Sequence, residues 1–143
     1  MKNTISQRVA DFLKNYPPFS FLNLREINTL SEEVSIIYKE KDSIVFEENE
    51  AAHDSFYVIH KGAVALKKGS KNEIINISDE GDLIGLRPLI TRENYKMEAR
   101  AHEESILYAI KKQRNGVNYE KTNTNSYIIT CYFNHRRSEE RRV

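Results

Sequence analysis

Gly81 and Gly85 stand four residues apart in the stretch Gly81-Asp82-Leu83-Ile84-Gly85-Leu86-Arg87-Pro88-Leu89-Ile90-Thr91, and the chemistry such a stretch can carry is the holding of an anion. Glycine lets the backbone bend and lie bare. The residues after Gly85 are set to open a very short helix with Pro88 in its first turn, where a missing N–H costs nothing. Backbone N–H groups at a helix start have no partner inside the helix, and the dipole favours negative charge there. A phosphate between Gly85 and Leu89 is therefore the natural ligand. Arg87 can add a bidentate grip on a phosphate or carboxylate; paired with Glu93 or Asp82 it would be an ordinary surface arginine.

Other chemistry finds less support. His53, His60, His102 and His135 are scattered, with no His-x-His or Cys-x-x-Cys spacing for a metal. His60 and His102 could meet across strands, as metal ligands do in a cupin, but a histidine at a strand end is more often structural or exposed. Cys131 has no nucleophile signature around it and reads as a small core residue. No catalytic residue and no metal ligand is assigned.

Such a bend needs a rigid frame, and the apolar pattern supplies one. From Ser6 to Asn15, Val9, Ala10, Phe12 and Leu13 recur at helical spacing, with Ser6 a candidate N-cap and Pro17-Pro18 a stop. Phe19, Phe21 and Leu22 follow as a hydrophobic patch, with both phenylalanines expected in the core. Asn23 can cap a second helix carrying Leu24, Ile27 and Leu30. From Val34 the period becomes two: Val34, Ile36 and Tyr38; then Ile44 to Phe46, Phe56 to Ile59, and Ala63 to Leu66. Lys61-Gly62 reads as a tight hairpin turn in which glycine supplies a positive φ. A second hairpin is expected at Lys67 to Asn72, before Ile74, Ile75 and Ile77. Met97, Ala99 and Ala101 alternate against Glu98 and Arg100, an expected outward ion-pair face, and Ser105 to Ile110 gives the last strand. About eight short strands at this spacing predict a mainly β fold with flanking helices, a jelly-roll closed against edge pairing.

The 143 residues are enough for one domain with a core, and 22 Lys+Arg against 21 Asp+Glu leave no net charge that argues for nucleic acid or an acidic membrane. One cysteine, no apolar run of signal-peptide length and nothing long enough to span a bilayer lead to the expectation of a cytoplasmic protein.

At Gly81 to Ala101 the chain resembles the cyclic-nucleotide-binding domains of kinase regulatory subunits, catabolite-activator-type regulators and bacterial signalling proteins. There, Gly-Asp, an apolar pair, Gly-Glu, a short helix and an arginine-bearing strand form a phosphate-binding cassette in a β-roll, or double-stranded β-helix. Asp54-Ser55-Phe56-Tyr57-Val58-Ile59-His60-Lys61-Gly62-Ala63-Val64 and Ile44-Val45-Phe46-Glu47-Glu48-Asn49-Glu50 are similar to the preceding strands. The resemblance covers roughly residues 6 to 110 and implies a domain order of helical segment 1–32, β-roll 33–110 with the cassette at 81–101, and a C-terminal helix with a charged tail over 111–143. It also implies that the opening helices move when ligand binds.

By that resemblance the ligand residues are Gly85, Leu86, Arg87, Leu89, Tyr95 and Lys96, with Gly62 and Gly81 as structural turns, and the ligand a cyclic nucleotide, cAMP or cGMP. Two positions depart from the family. Its glutamate for the ribose falls on Leu86, and its arginine for the cyclic phosphate falls on or beside Tyr95, with Arg92 and Lys96 the nearest cations. Two lost charge-assisted hydrogen bonds would weaken binding by about 3–6 kcal/mol. The expectation is a non-enzymatic regulatory domain of a signalling protein with weak or altered binding of a small anionic nucleotide, coupled to a fused or separate signalling domain. The alternatives are a ligand-free roll acting as an interaction module, dimerising through Ser126 to Phe133, or the effector half of a transcription regulator. Too few residues follow Phe133 for a DNA-reading helix-turn-helix, so neither nucleic acid nor membrane is an expected partner of the chain itself.

Overall fold

A computed structural model describes residues 4–69 and 73–111. The expected C-terminal helix, the dimer segment 126–133, Cys131 and His135 lie outside the described residues. The roll, Ser35–Ile110, is one compact unit, and the described helices before it belong to another.

In the helical unit, α1 (Thr4–Leu13) packs along α2 (Leu24–Glu32), and Val9, Ala10, Leu13, Ile27 and Leu30 are buried. Asn23 caps α2 in a reciprocal box: its side chain accepts from the Glu26 N–H at 2.8 Å, and the Glu26 carboxylate accepts from the Asn23 N–H at 3.0 Å. Two expectations are corrected. Ser6 lies inside α1 rather than capping it. Phe19 is fully buried in a short 3-10 turn (Phe19–Phe21), but Phe21 is 53% exposed, because three residues of 3-10 turn bring only one of the two rings inward.

The roll has eight strands: β1 (Ser35–Lys39), β2 (Ile44–Phe46), β3 (Ser55–Lys61), β4 (Val64–Lys68), β5 (Glu73–Ser78), β6 (Leu83–Ile84), β7 (Glu98–Ala101) and β8 (Ser105–Lys111), with a short helix α3 (Leu86–Thr91) between β6 and β7. They form two four-stranded sheets, ordered β1-β8-β3-β6 and β2-β7-β4-β5. The described pairs are antiparallel, with Ser35 opposite Ala109 and Val64 opposite both Ser78 and Ala101. The core between the sheets holds Val45, Phe46, Tyr57, Ile59, Val64, Ile84, Tyr95, Ala99, Leu107 and Ala109.

The β4–β5 hairpin forms where expected, with Lys68 opposite Glu73. The turn at Lys61-Gly62 is different in kind. Since β3 and β4 belong to different sheets, Gly62 (φ 95°) makes a corner that carries the chain from one sheet to the other, and not a hairpin. On β1 the alternating residues Ile36 and Tyr38 are exposed, and Ile37 is the one that packs against the core. A strand's period of two sets which residues share a face without setting which face turns inward.

Candidate functional site

The stretch from Gly81 to Ala101 forms a bend, a short helix and a strand at one side of the roll. Gly81 (φ 90°) donates its N–H to the Ile59 carbonyl at 2.8 Å, and Ile59 donates back to Asp82 at 3.0 Å, so the turn before β6 is tied to β3. Asp82 shapes that turn, its carboxylate accepting from the Asp79 N–H at 2.9 Å. Gly85 caps α3 in the left-handed region (φ 78°, ψ 8°), a conformation glycine takes without the penalty of a Cβ, and Pro88 lies in the helix's first turn. Leu86 and Leu89 are buried; Arg87 is exposed. The helix ends at Arg92, also left-handed, where Thr91 donates to the Arg87 carbonyl or to the Glu93 carboxylate.

Against this bend stand three aromatic rings. A side chain at Gly85 would come within 3.4 Å of Phe46, 3.7 Å of Tyr95 and 3.8 Å of Tyr57. Tyr95 and Phe46 are stacked with centroids 3.8 Å apart and planes 9° from parallel, and His53 meets Tyr95 edge-on at 5.2 Å. The polar edges of this cluster are joined. The His53 N–H donates to the Tyr95 hydroxyl at 2.8 Å, Nδ1 of His53 is 2.8 Å from the Tyr57 hydroxyl, and Nε2 is 2.9 Å from Glu50 Oε2.

Burial, with the nearby Tyr95 and Glu50 adding to it, pushes the Tyr57 phenol up to about 12. Glu50 is held below the usual carboxylate range, first by the Glu47 N–H and then by His53. Burial also raises Tyr95, against the lowering effect of the His53 N–H.

The geometry thus brings Gly85 and Tyr95 together at one wall of the roll; Leu86 and Leu89 are buried on α3, while Arg87 and Lys96 lie exposed. Glu98 and Arg100 pair at 3.0 Å, and Arg100 also donates to the Asp42 carbonyl at 2.8 Å, so this guanidinium is engaged on the strand rather than turned to the bend. Glu50, His53 and Tyr57 were not singled out from the sequence. Their spacing of three and four residues spans a loop and a strand start, which no periodic pattern marks. Of the other histidines, His60 stacks on Tyr108 with centroids 4.7 Å apart and His102 is exposed. Among the described residues no group of three or more His, Cys, Asp or Glu side chains is placed to hold a metal ion, and no helix is long and apolar enough to cross a membrane.

Solved structures share this fold. A regulatory subunit of a cAMP-independent protein kinase A from Trypanosoma brucei superposes with a TM-score of 0.76 at 15% identity, over 96% of this chain and 46% of that one. The corresponding subunit from Trypanosoma cruzi, bound to guanosine, gives 0.67 at 18% identity over 74% and 39%. The sensor domain of the transcriptional regulator DNR from Pseudomonas aeruginosa gives 0.71 at 16% identity over 94% and 92%. The chain spans less than half the length of those kinase subunits. No curated protein sequence matches it significantly. The family profile described as cyclic nucleotide-binding domain matches residues 36–115, more than half of the sequence and nearly all of the roll, and the chain belongs to that family.

Proposed function

We propose that the chain is a non-catalytic regulatory or sensor domain of cyclic-nucleotide-binding type within a signal-transduction protein, with altered ligand binding. The observation that carries this reading is the cassette-like bend and short helix at Gly85 to Thr91, whose Gly85 faces the rings of Phe46, Tyr57 and Tyr95. A cyclic phosphate at such a wall would lack the guanidinium that pairs with it elsewhere in the family. Its partners here would be the backbone at Gly85, Leu86, Arg87 and Leu89, with Arg87 and Lys96 reaching in from the exposed side. An uncharged nucleoside loses less by that exchange, and guanosine is what the Trypanosoma cruzi subunit holds. The signal would pass to a fused or separate domain, in a cytoplasmic setting consistent with a single cysteine.

Isothermal calorimetry of the full chain with cAMP, cGMP and guanosine tests this. The expected result is binding of the cyclic nucleotides weaker than about 0.1 mM, a free energy smaller than about 5.5 kcal/mol. Submicromolar binding would overturn the altered-ligand reading, and no binding of any of the three would overturn the sensor reading.

A second reading, an interaction module, is favoured by one observation: Ile74, Ile75 and Ile77 on the edge strand β5 are 44%, 55% and 44% exposed. Under it, Ile75→Ser with Ile77→Ser would lower the solution mass of an assembly seen with the unaltered chain.

A further inference from the structure

We propose that Tyr95 is the resident occupant of the space behind Gly85: a tethered ring that fills the roll where a free ligand would lie, and that must leave before one can enter. This rests on the reading above that the space is the domain's ligand site. Arg92, Glu93, Asn94 and Lys96 are exposed, and Tyr95 alone among them turns inward, to 2% exposure. Each part of it is satisfied by one short run of chain. The ring lies on Phe46, the hydroxyl accepts from the His53 N–H at 2.8 Å, the Tyr95 N–H donates to Glu50 at 2.9 Å, and the Tyr95 carbonyl accepts from the Asn49 N–H at 2.7 Å. A bridge between Ala51 and Asn94 completes the tether.

Residues 46–53 therefore offer what a bound phenol would ask for: a flat apolar face on one side and a hydrogen-bond donor at the hydroxyl. The same offer defines what can replace Tyr95. With that ring withdrawn, the wall presents Phe46, Tyr57 and the unpaired His53 N–H. That suits an uncharged planar ring carrying an acceptor. Tyr95 is in this sense the gate that sets the site's preference.

The test uses the full chain with Tyr95→Ala, which retains Cβ and leaves a space of phenol shape, and phenol as the probe. Phenol at several times its dissociation constant should raise the melting temperature of the variant by about 3 °C while leaving the unaltered chain unchanged; benzene, which leaves the His53 N–H without an acceptor, should raise it less. An equal rise in both proteins, or in neither, would overturn the proposal. Should Tyr95→Ala be unfolded alone, recovery of the fold with phenol supports the proposal and failure to recover overturns it. Tyr95→Phe keeps the ring and removes the hydroxyl, so exchange of the His53 amide should quicken about fivefold; an unchanged rate would also overturn it. The calorimetry with cyclic nucleotides on the unaltered chain reads the ligand assignment independently, so either result can fail while the other stands.

Discussion

Gly62 and Ser105 meet at the corner where the chain leaves one sheet for the other. The Ser105 hydroxyl accepts from the Ala63 N–H at 3.1 Å, and a Cβ on Gly62 would collide with Ser105 Oγ and the Glu104 carbonyl. The corner thus has two requirements that only glycine meets: φ of 95° and no side chain against β8. Gly62→Ala should cost about 2–4 kcal/mol in urea denaturation. Gly69→Ala is the control. Its φ is also positive, at 79°, but nothing lies within 4 Å of the added Cβ, and about 1 kcal/mol is expected. Equal losses at the two sites would show that crowding at Ser105 is not the cause.

Phe46 should be among the costliest residues to truncate. It is buried and carries the stacked Tyr95 ring. Phe46→Ala is expected to lose about 3–5 kcal/mol of stability, whereas Phe21→Ala, at a ring 53% exposed, should lose less than about 1 kcal/mol. Denaturant midpoints of the two variants check the contrast.

The Tyr57 phenol gives a pH dependence with a definite sign. Its folded value, about 12, lies above the ordinary value of 10.0, so the folded state holds this proton more tightly than the unfolded state does. The associated stability is fully present below about pH 10 and is lost as pH rises towards 12, by about 2 kcal/mol. Tyr57→Phe should flatten that loss in denaturation series from pH 9 upward. Some slope should remain, because burial also raises Tyr95 and Tyr108.

Asn23→Ala should cost about 1 kcal/mol by removing the acceptor for the Glu26 N–H and undoing the capping box. Asn23→Ser, which keeps a short acceptor, should recover most of it. A thermal melt of the two variants decides the matter.

The cap at Asn23 was legible in the sequence because it depends on residues three apart in the chain. So did the strand spans, the β4–β5 hairpin and the short helix after Gly85, since turn residues and a period of two are local signals. Ser6 misled because a serine near a helix start is a candidate cap wherever it stands, and the helix begins upstream of it at Thr4 among the described residues. Phe21 misled because hydrophobicity alone does not tell a residue which side of a 3-10 turn it will occupy.

At the site the division runs along the same line. The sequence by itself determined a bend with two glycines and a short helix carrying proline in its first turn, because each is a property of covalent structure and of neighbours a few residues apart. Only the tertiary structure decided that Tyr95 lies on Phe46, that its hydroxyl meets the His53 N–H 42 residues away in sequence, and that Gly62 turns a corner between sheets. Those facts follow from how the two sheets are paired and closed, and long-range pairing is set by the packing of the whole roll, which no local run of residues encodes.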